Sequence, residues 1–140
     1  SQPGGIEMCG TPIDLRAVDI PVHIISTKED HIAPWKGTYV ATQLYSGETT
    51  FTLAGSGHIA GIVNPPSVTK YGYWSNAENP PDPDDWFAGA TQSEGSWWPQ
   101  WGKWVAKQSG PKVKARTPGS KDAPVLEDAP GGYVKVRSDE

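Results

Sequence analysis

An α/β fold built on a parallel sheet is what this sequence predicts, and three observations predict it. The run Ile20-Pro21-Val22-His23-Ile24-Ile25-Ser26 is short, β-branched and almost continuously apolar, the pattern of a strand buried on both faces. Thr49-Thr50-Phe51-Thr52-Leu53-Ala54 alternates as a second strand. Between them Trp35, Tyr39, Val40, Leu44 and Tyr45 recur at helical spacing. Strand, helix, strand is one right-handed crossover of a parallel sheet.

Each element has its own punctuation. Pro21 lacks a donor and belongs at the start of its strand. Pro34 and Trp35 open the helix, which runs to about Tyr45, and Gly47 stands where a C-terminal stop is expected. Asp82-Pro83-Asp84-Asp85 supplies an N-cap, a first-turn proline and two acids ahead of Trp86-Phe87, and so starts a second helix. Ser96 caps a third, with Trp97, Trp101, Trp104 and Val105 on one face and Gly110-Pro111 at its end. Tyr133-Val134-Lys135-Val136-Arg137 alternates like a short added strand. Residues 1–110 thus read as part of one catalytic-type domain, and 111–140 as a Lys/Pro/Gly-rich tail with little core of its own.

Composition narrows the function. The chain has 140 residues, which suits one domain. A net charge of −4 argues against nucleic acid as the main partner. No apolar stretch approaches the ~20 residues of a membrane span. No signal-peptide pattern and no Asn-x-Ser/Thr acceptor is present. A single cysteine excludes an internal disulfide and fits a reducing cytoplasm. No cofactor motif is found.

The chemistry lies in two loops. Asp30 sits in Lys28-Glu29-Asp30-His31-Ile32-Ala33-Pro34, directly after the first strand, and His58 sits in Gly55-Ser56-Gly57-His58, directly after the second. Imidazole is the usual base for a Ser or Cys nucleophile, and a carboxylate fixes its tautomer and stabilises the imidazolium. In α/β-hydrolases the order is nucleophile, acid, histidine, each on a loop at the C-terminal end of a strand. Here the last two occur in that order, so the chain reads as the C-terminal part of such a fold. Alone, each has a structural explanation: Asp30 as a cap for the helix near Trp35, His58 as a satisfied loop histidine. As a pair at the ends of consecutive strands they point to catalysis.

Other polar residues are less informative. His23 lies inside the first strand and reads as a packed core residue, while His31 adjoins Asp30 and reads as a supporting neighbour. Cys9, in Met8-Cys9-Gly10-Thr11, lacks the elbow of a nucleophile and reads as a buried or half-buried thiol. Asp82, Asp84 and Asp85 are followed by Trp86 and by no calcium-loop glycine, so helix capping explains them better than a metal. Cys9 and the histidines have no zinc spacing.

Glu29-Asp30-His31-Ile32-Ala33-Pro34-Trp35 and Gly55-Ser56-Gly57-His58-Ile59-Ala60-Gly61-Ile62-Val63-Asn64-Pro65-Pro66 closely resemble the C-terminal part of class I poly(3-hydroxyalkanoate) synthases. Cys9-Gly10-Thr11-Pro12-Ile13-Asp14-Leu15, Gly95-Ser96-Trp97-Trp98-Pro99-Gln100-Trp101 and Ala129-Pro130-Gly131-Gly132-Tyr133-Val134-Lys135 extend the match over essentially the whole chain. The resemblance implies an acyltransferase that polymerises 3-hydroxyacyl-CoA, typically 3-hydroxybutyryl-CoA, into polyester and releases CoA. It implies a cysteine nucleophile in an upstream Gly-x-Cys-x-Gly box, absent from these residues. His58 would deprotonate that cysteine, and Asp30 would activate the 3-hydroxyl of the incoming unit directly or through the histidine. It further implies a homodimer at the surface of polymer granules, with granule-associated proteins as neighbours, and no cofactor.

Two rivals stand beside this reading. Another α/β-hydrolase, an esterase or polyester depolymerase using serine, shares the acid and histidine. A non-enzymatic Trp-rich module that binds polymer or carbohydrate would explain the seven tryptophans, but not the paired loops. The face formed by Trp97, Trp101 and Trp104 reads as core against the sheet, with contact to acyl chain or a partner as its functional alternative. Lys103, Lys107, Lys112, Lys114 and Arg116 read as a solvated basic run, with CoA phosphates as the alternative.

Overall fold

The computed structural model describes residues 5–68 and 70–138. The chain divides into two units, Ser1–Gly110 and Pro111–Glu140. The first opens with a hairpin, β1 (Ile6–Met8) antiparallel to β2 (Thr11–Ile13). Cys9 and Gly10 form its turn at φ 51° and 77°, the left-handed conformation that a two-residue hairpin takes at both central positions. Cys9 is exposed. That corrects the expectation of a buried or half-buried thiol, because the tip of a two-residue turn faces solvent.

The main sheet has the order β3-β4-β5-β6. β3 (Val22–Thr27) and β4 (Thr49–Ala54) run parallel, with Ile24 beside Phe51 and Thr27 beside Ala54. Pro21 lies just ahead of β3, where its missing donor is harmless. The sequence predicts parallel neighbours for both strands. Instead β4 carries β5 (Tyr73–Ser75) antiparallel on its second edge, and β5 carries β6 (Thr91–Ser93), also antiparallel. Strands this short hold too few residues for a period of two to be visible.

Between β3 and β4, α1 (Trp35–Tyr39) passes into a 3₁₀ turn over Val40–Gln43. The one helix predicted to about Tyr45 is therefore shorter and tightens at its end. Thr42 Oγ1 donates back to Tyr39 O at 2.8 Å, and Leu44 N–H to Ala41 O at 3.1 Å, the short-range bonds that close such a turn. Gly47 has a different role from a helix stop. A Cβ there would clash with the Ile20 carbonyl oxygen, so it permits the chain to pass close to the segment entering β3.

One face of the sheet carries the core. Tyr39, Phe51, Leu53 and Trp86 are fully buried, with Ile24, Trp35, Trp74, Phe87 and Ala90 packed around them. Phe51 meets the Tyr39 and Trp86 rings edge-on at 5.0 and 4.9 Å. Trp86 arrives on α2 (Pro83–Ala88), which starts as its sequence predicts: Asp82 accepts the Asp84 N–H at 2.8 Å and Pro83 opens the first turn. The opposite face receives α3 (Trp98–Gln108), whose Trp104 ring meets His23 edge-on at 5.2 Å. Of the predicted tryptophan face, Trp97 is buried, Trp104 half-buried and Trp101 exposed by 41%.

The second unit is mainly irregular. Its predicted strand at Tyr133–Arg137 is instead a 3₁₀ turn over Tyr133–Lys135. Alternation alone does not make a strand without a pairing edge, and Gly132 N–H is held by the Glu127 carboxylate at 2.8 Å just before the turn. Among the described residues no helix is long and apolar enough to cross a membrane.

Candidate active site

The loops after β3 and β4 meet because the ladder continues past the strand ends. Lys28 N–H donates to Ala54 O at 2.8 Å and Glu29 N–H to Ser56 O at 3.0 Å. Asp30 and His58, 28 residues apart, are thereby brought together: His58 Nδ1 lies 2.7 Å from Asp30 Oδ2. The two oxygens of Asp30 divide their work. Oδ1 accepts the N–H groups of Ile32 and Ala33, both at 2.9 Å, while Oδ2 faces the histidine. Asp30 does not cap α1 as expected, since that helix begins at Trp35 behind Pro34 with no side-chain cap; its Oδ1 closes a turn within its own loop, and its Oδ2 is paired with His58.

The electrostatics follow from this geometry. The Ala33 N–H, then the His58 ring, then the Ile32 N–H hold the Asp30 carboxyl down to about 2, against a smaller opposing effect of burial. Its side chain is 7% exposed and that of His58 48%. An Nδ1–H donated to this carboxylate leaves Nε2 as the acceptor of the neutral ring. Among the described residues Nε2 has no hydrogen-bond partner, and the His58 side chain is the more exposed of the pair.

Small residues shape the His58 loop, though not in the way their flexibility suggests. The left-handed position is Ser56, at φ 70°, flanked by two glycines. Gly61 is needed for close approach, since a Cβ there would clash with the Gly55 carbonyl oxygen and lie 2.6 Å from Thr27 Cγ2. Tyr71, also left-handed at φ 53°, lies beside this loop. Hydrogen bonds to Lys70 and then Ser56 lower its phenol from the ordinary value.

The remaining predicted residues fall elsewhere. His23 is half-buried, bonded through Nε2 to Thr52 Oγ1 at 3.0 Å, and burial lowers its pKa, as suits a packed residue. His31 is exposed. Asp82 and Asp84 serve the α2 cap, and Asp84 pairs with Lys36 at 2.6 Å. Among the described residues no group of three or more His, Cys, Asp or Glu could hold a metal ion. Lys103, Lys107, Lys112, Lys114 and Arg116 are all exposed.

Comparison with known proteins supplies the decisive observation. The chain is 43% identical over 137 residues to the poly(3-hydroxyalkanoate) polymerase subunit PhaC of Cupriavidus necator, an alignment covering 97% of this chain and 23% of that protein. It is 42% identical over 135 residues to the polymerase subunit PhaC of Rhizobium meliloti, covering 96% and 22%. The chain belongs with the poly(3-hydroxyalkanoate) polymerases. Poly(3-hydroxyalkanoate) polymerase 2 of Ectopseudomonas oleovorans is 43% identical over 138 residues, covering 98% of the chain and 25% of that polymerase. The chain thus spans about a quarter of the length of these polymerases. No family model matches it.

Proposed function

We propose that this chain is the C-terminal portion of a class I polymerase that joins 3-hydroxyacyl units, typically 3-hydroxybutyryl, from CoA thioesters into polyester. The observation that carries the reading is the 2.7 Å pair of Asp30 and His58 at the ends of adjacent parallel strands, with Nε2 left free. His58 Nε2 takes the proton of a cysteine thiol that lies outside these residues. The thiolate attacks the thioester carbonyl, the C–S bond to CoA breaks, and the imidazolium returns its proton to the departing CoA thiolate. The incoming 3-hydroxyl then attacks the acyl-cysteine, losing its proton to His58 or to the Asp30–His58 pair, so that an ester forms and the cysteine is released. Asp30, held ionised well below neutral pH, stabilises the imidazolium in each step. The enzyme works as a homodimer at the granule surface, against growing polyester and granule-associated proteins, and uses no cofactor.

The test is a chimera in which residues 1–140 replace the matching segment of the Cupriavidus necator polymerase subunit. CoA release from 3-hydroxybutyryl-CoA should fall about 1,000-fold in His58→Ala and about 100-fold in Asp30→Asn, the range for a positioned general base and its partner. A chimera that releases CoA no faster than its own His58→Ala variant overturns the reading. Residues 1–140 alone should release none, because their single thiol, Cys9, sits in a hairpin turn and not in a strand-to-helix elbow.

A further inference from the structure

The two motifs that most specifically mark this sequence, the stretch after His58 and Ser96-Trp97-Trp98-Pro99, are bonded to one another. After His58 the chain makes a single helical turn, closed by Gly61 N–H to Gly57 O at 3.2 Å and Val63 N–H to Ile59 O at 2.9 Å. One turn of helix has almost no stability of its own. Its outer carbonyls are instead held from α3. Trp97 Nε1–H donates to Gly61 O at 3.1 Å and Trp98 Nε1–H to Ile62 O at 2.9 Å, each across 36 residues of sequence. The donors are themselves fixed: Ser96 Oγ accepts the Trp98 N–H at 3.1 Å, Trp97 is 8% exposed, and the two rings pack edge-on at 6.3 Å. At the far end of the turn Asn64, 3% exposed, donates through Nδ2 to Lys70 O, to Tyr71 O at 3.2 Å and to Gly95 O at 3.5 Å.

We propose that Trp97 and Trp98, with Asn64, are positioning residues for His58: they lock the turn that follows it, so that the ring keeps its bond to Asp30 while Nε2 stays aimed at the reacting thiol. An indole suits this because it has a single N–H on a rigid, bulky frame, which sets the height of the carbonyl it binds. The inference rests on His58 acting as the base. It adds that the base is placed from α3, and that the Ser-Trp-Trp-Pro motif exists to place it.

In the chimera described above, Trp98→Phe keeps most of the ring and deletes the donor. The expected result is a roughly 10- to 100-fold fall in kcat, the scale of a base displaced by a fraction of an ångström to an ångström. KM for 3-hydroxybutyryl-CoA should stay within about twofold, since ground-state binding is untouched. Alkylation of the cysteine nucleophile by iodoacetamide should slow along with kcat. Replacing Trp98 by 3-benzothienylalanine, which has the shape of Trp but no N–H, should do the same and guards against a folding defect in the Phe variant. Trp86→Phe is the structural control: it perturbs the core at an indole N–H that is buried without a partner, and kcat should hold. Wild-type kcat in both Trp98 variants, a rise in KM at constant kcat, or an equal loss in Trp86→Phe overturns the proposal. Those outcomes together with an inactive His58→Ala sink only the positioning role, whereas an active His58→Ala sinks the function beneath it.

Discussion

Asp30 makes two separate sets of bonds, one within its own loop and one to His58. Its Oδ1 turns the chain toward α1 by accepting two backbone N–H groups, and its Oδ2 orients His58. The same bonds hold the carboxyl at about 2 rather than the ordinary 3.8. A carboxyl depressed in the folded state contributes stability that is complete above its unfolded value and is lost as pH falls through its folded one. The Asp30 contribution should therefore be intact above about 3.8 and gone near 2. A pH series of carboxyl ¹³C shifts should place the Asp30 midpoint near the lower value. A midpoint at or above the ordinary one would mean the loop bonds do not persist in solution. The type and order of acid and histidine were legible in the sequence; the division of the acid between its two oxygens was not, because a local turn, a helix cap and a partner for histidine all take the same residue type.

At the scale of elements, glycine positions separate what the site needs from what the helix tolerates. Gly61 lets the turn after His58 approach β3 and the Gly55 carbonyl, and a side chain there meets backbone that cannot move aside. Gly37, inside α1, has nothing within 4 Å of where its Cβ would sit. Gly61→Ala should destabilise the chain by about 1–3 kcal/mol, the usual scale of overpacking. Gly37→Ala should stabilise it by up to about 1 kcal/mol through helix propensity. Urea midpoints that move in opposite directions confirm the contrast; equal shifts would refute it. The β4 and α2 boundaries were readable because alternation, N-cap and first-turn proline are local signals. The end of α1 was not, since Thr42 folds its hydroxyl back onto Tyr39 O only once that turn is buried.

Across the whole chain, β3 and β6 are the two edges of the main sheet, and β3 is the longer, parallel one. It pairs with β4, and among the described residues no strand covers its other side. Large apolar side chains are exposed around the two loops, Ile32, Ile59 and Val63 among them. An uncovered parallel strand and such a surface favour association. Residues 1–140 purified alone should therefore elute as oligomers in size-exclusion chromatography and enhance the fluorescence of an apolar dye. A monodisperse monomer that leaves the dye dark would show that this surface needs no cover.

Local pattern, by itself, determined the βαβ unit, the acid and histidine loops at its strand ends, the α2 cap and the family resemblance. These depend on the spacing of residue types along a few turns of chain, and that spacing survives without knowledge of partners. The tertiary structure alone decided the antiparallel β5–β6 extension, the exposure of Cys9, the 3₁₀ turn at Tyr133–Lys135, and the bonds from Trp97 and Trp98 to the turn after His58. Each is set by a neighbour distant in sequence or by the lack of one. A donor and an acceptor 36 residues apart carry no shared periodicity, and only the packing of α3 against the sheet reveals that they meet.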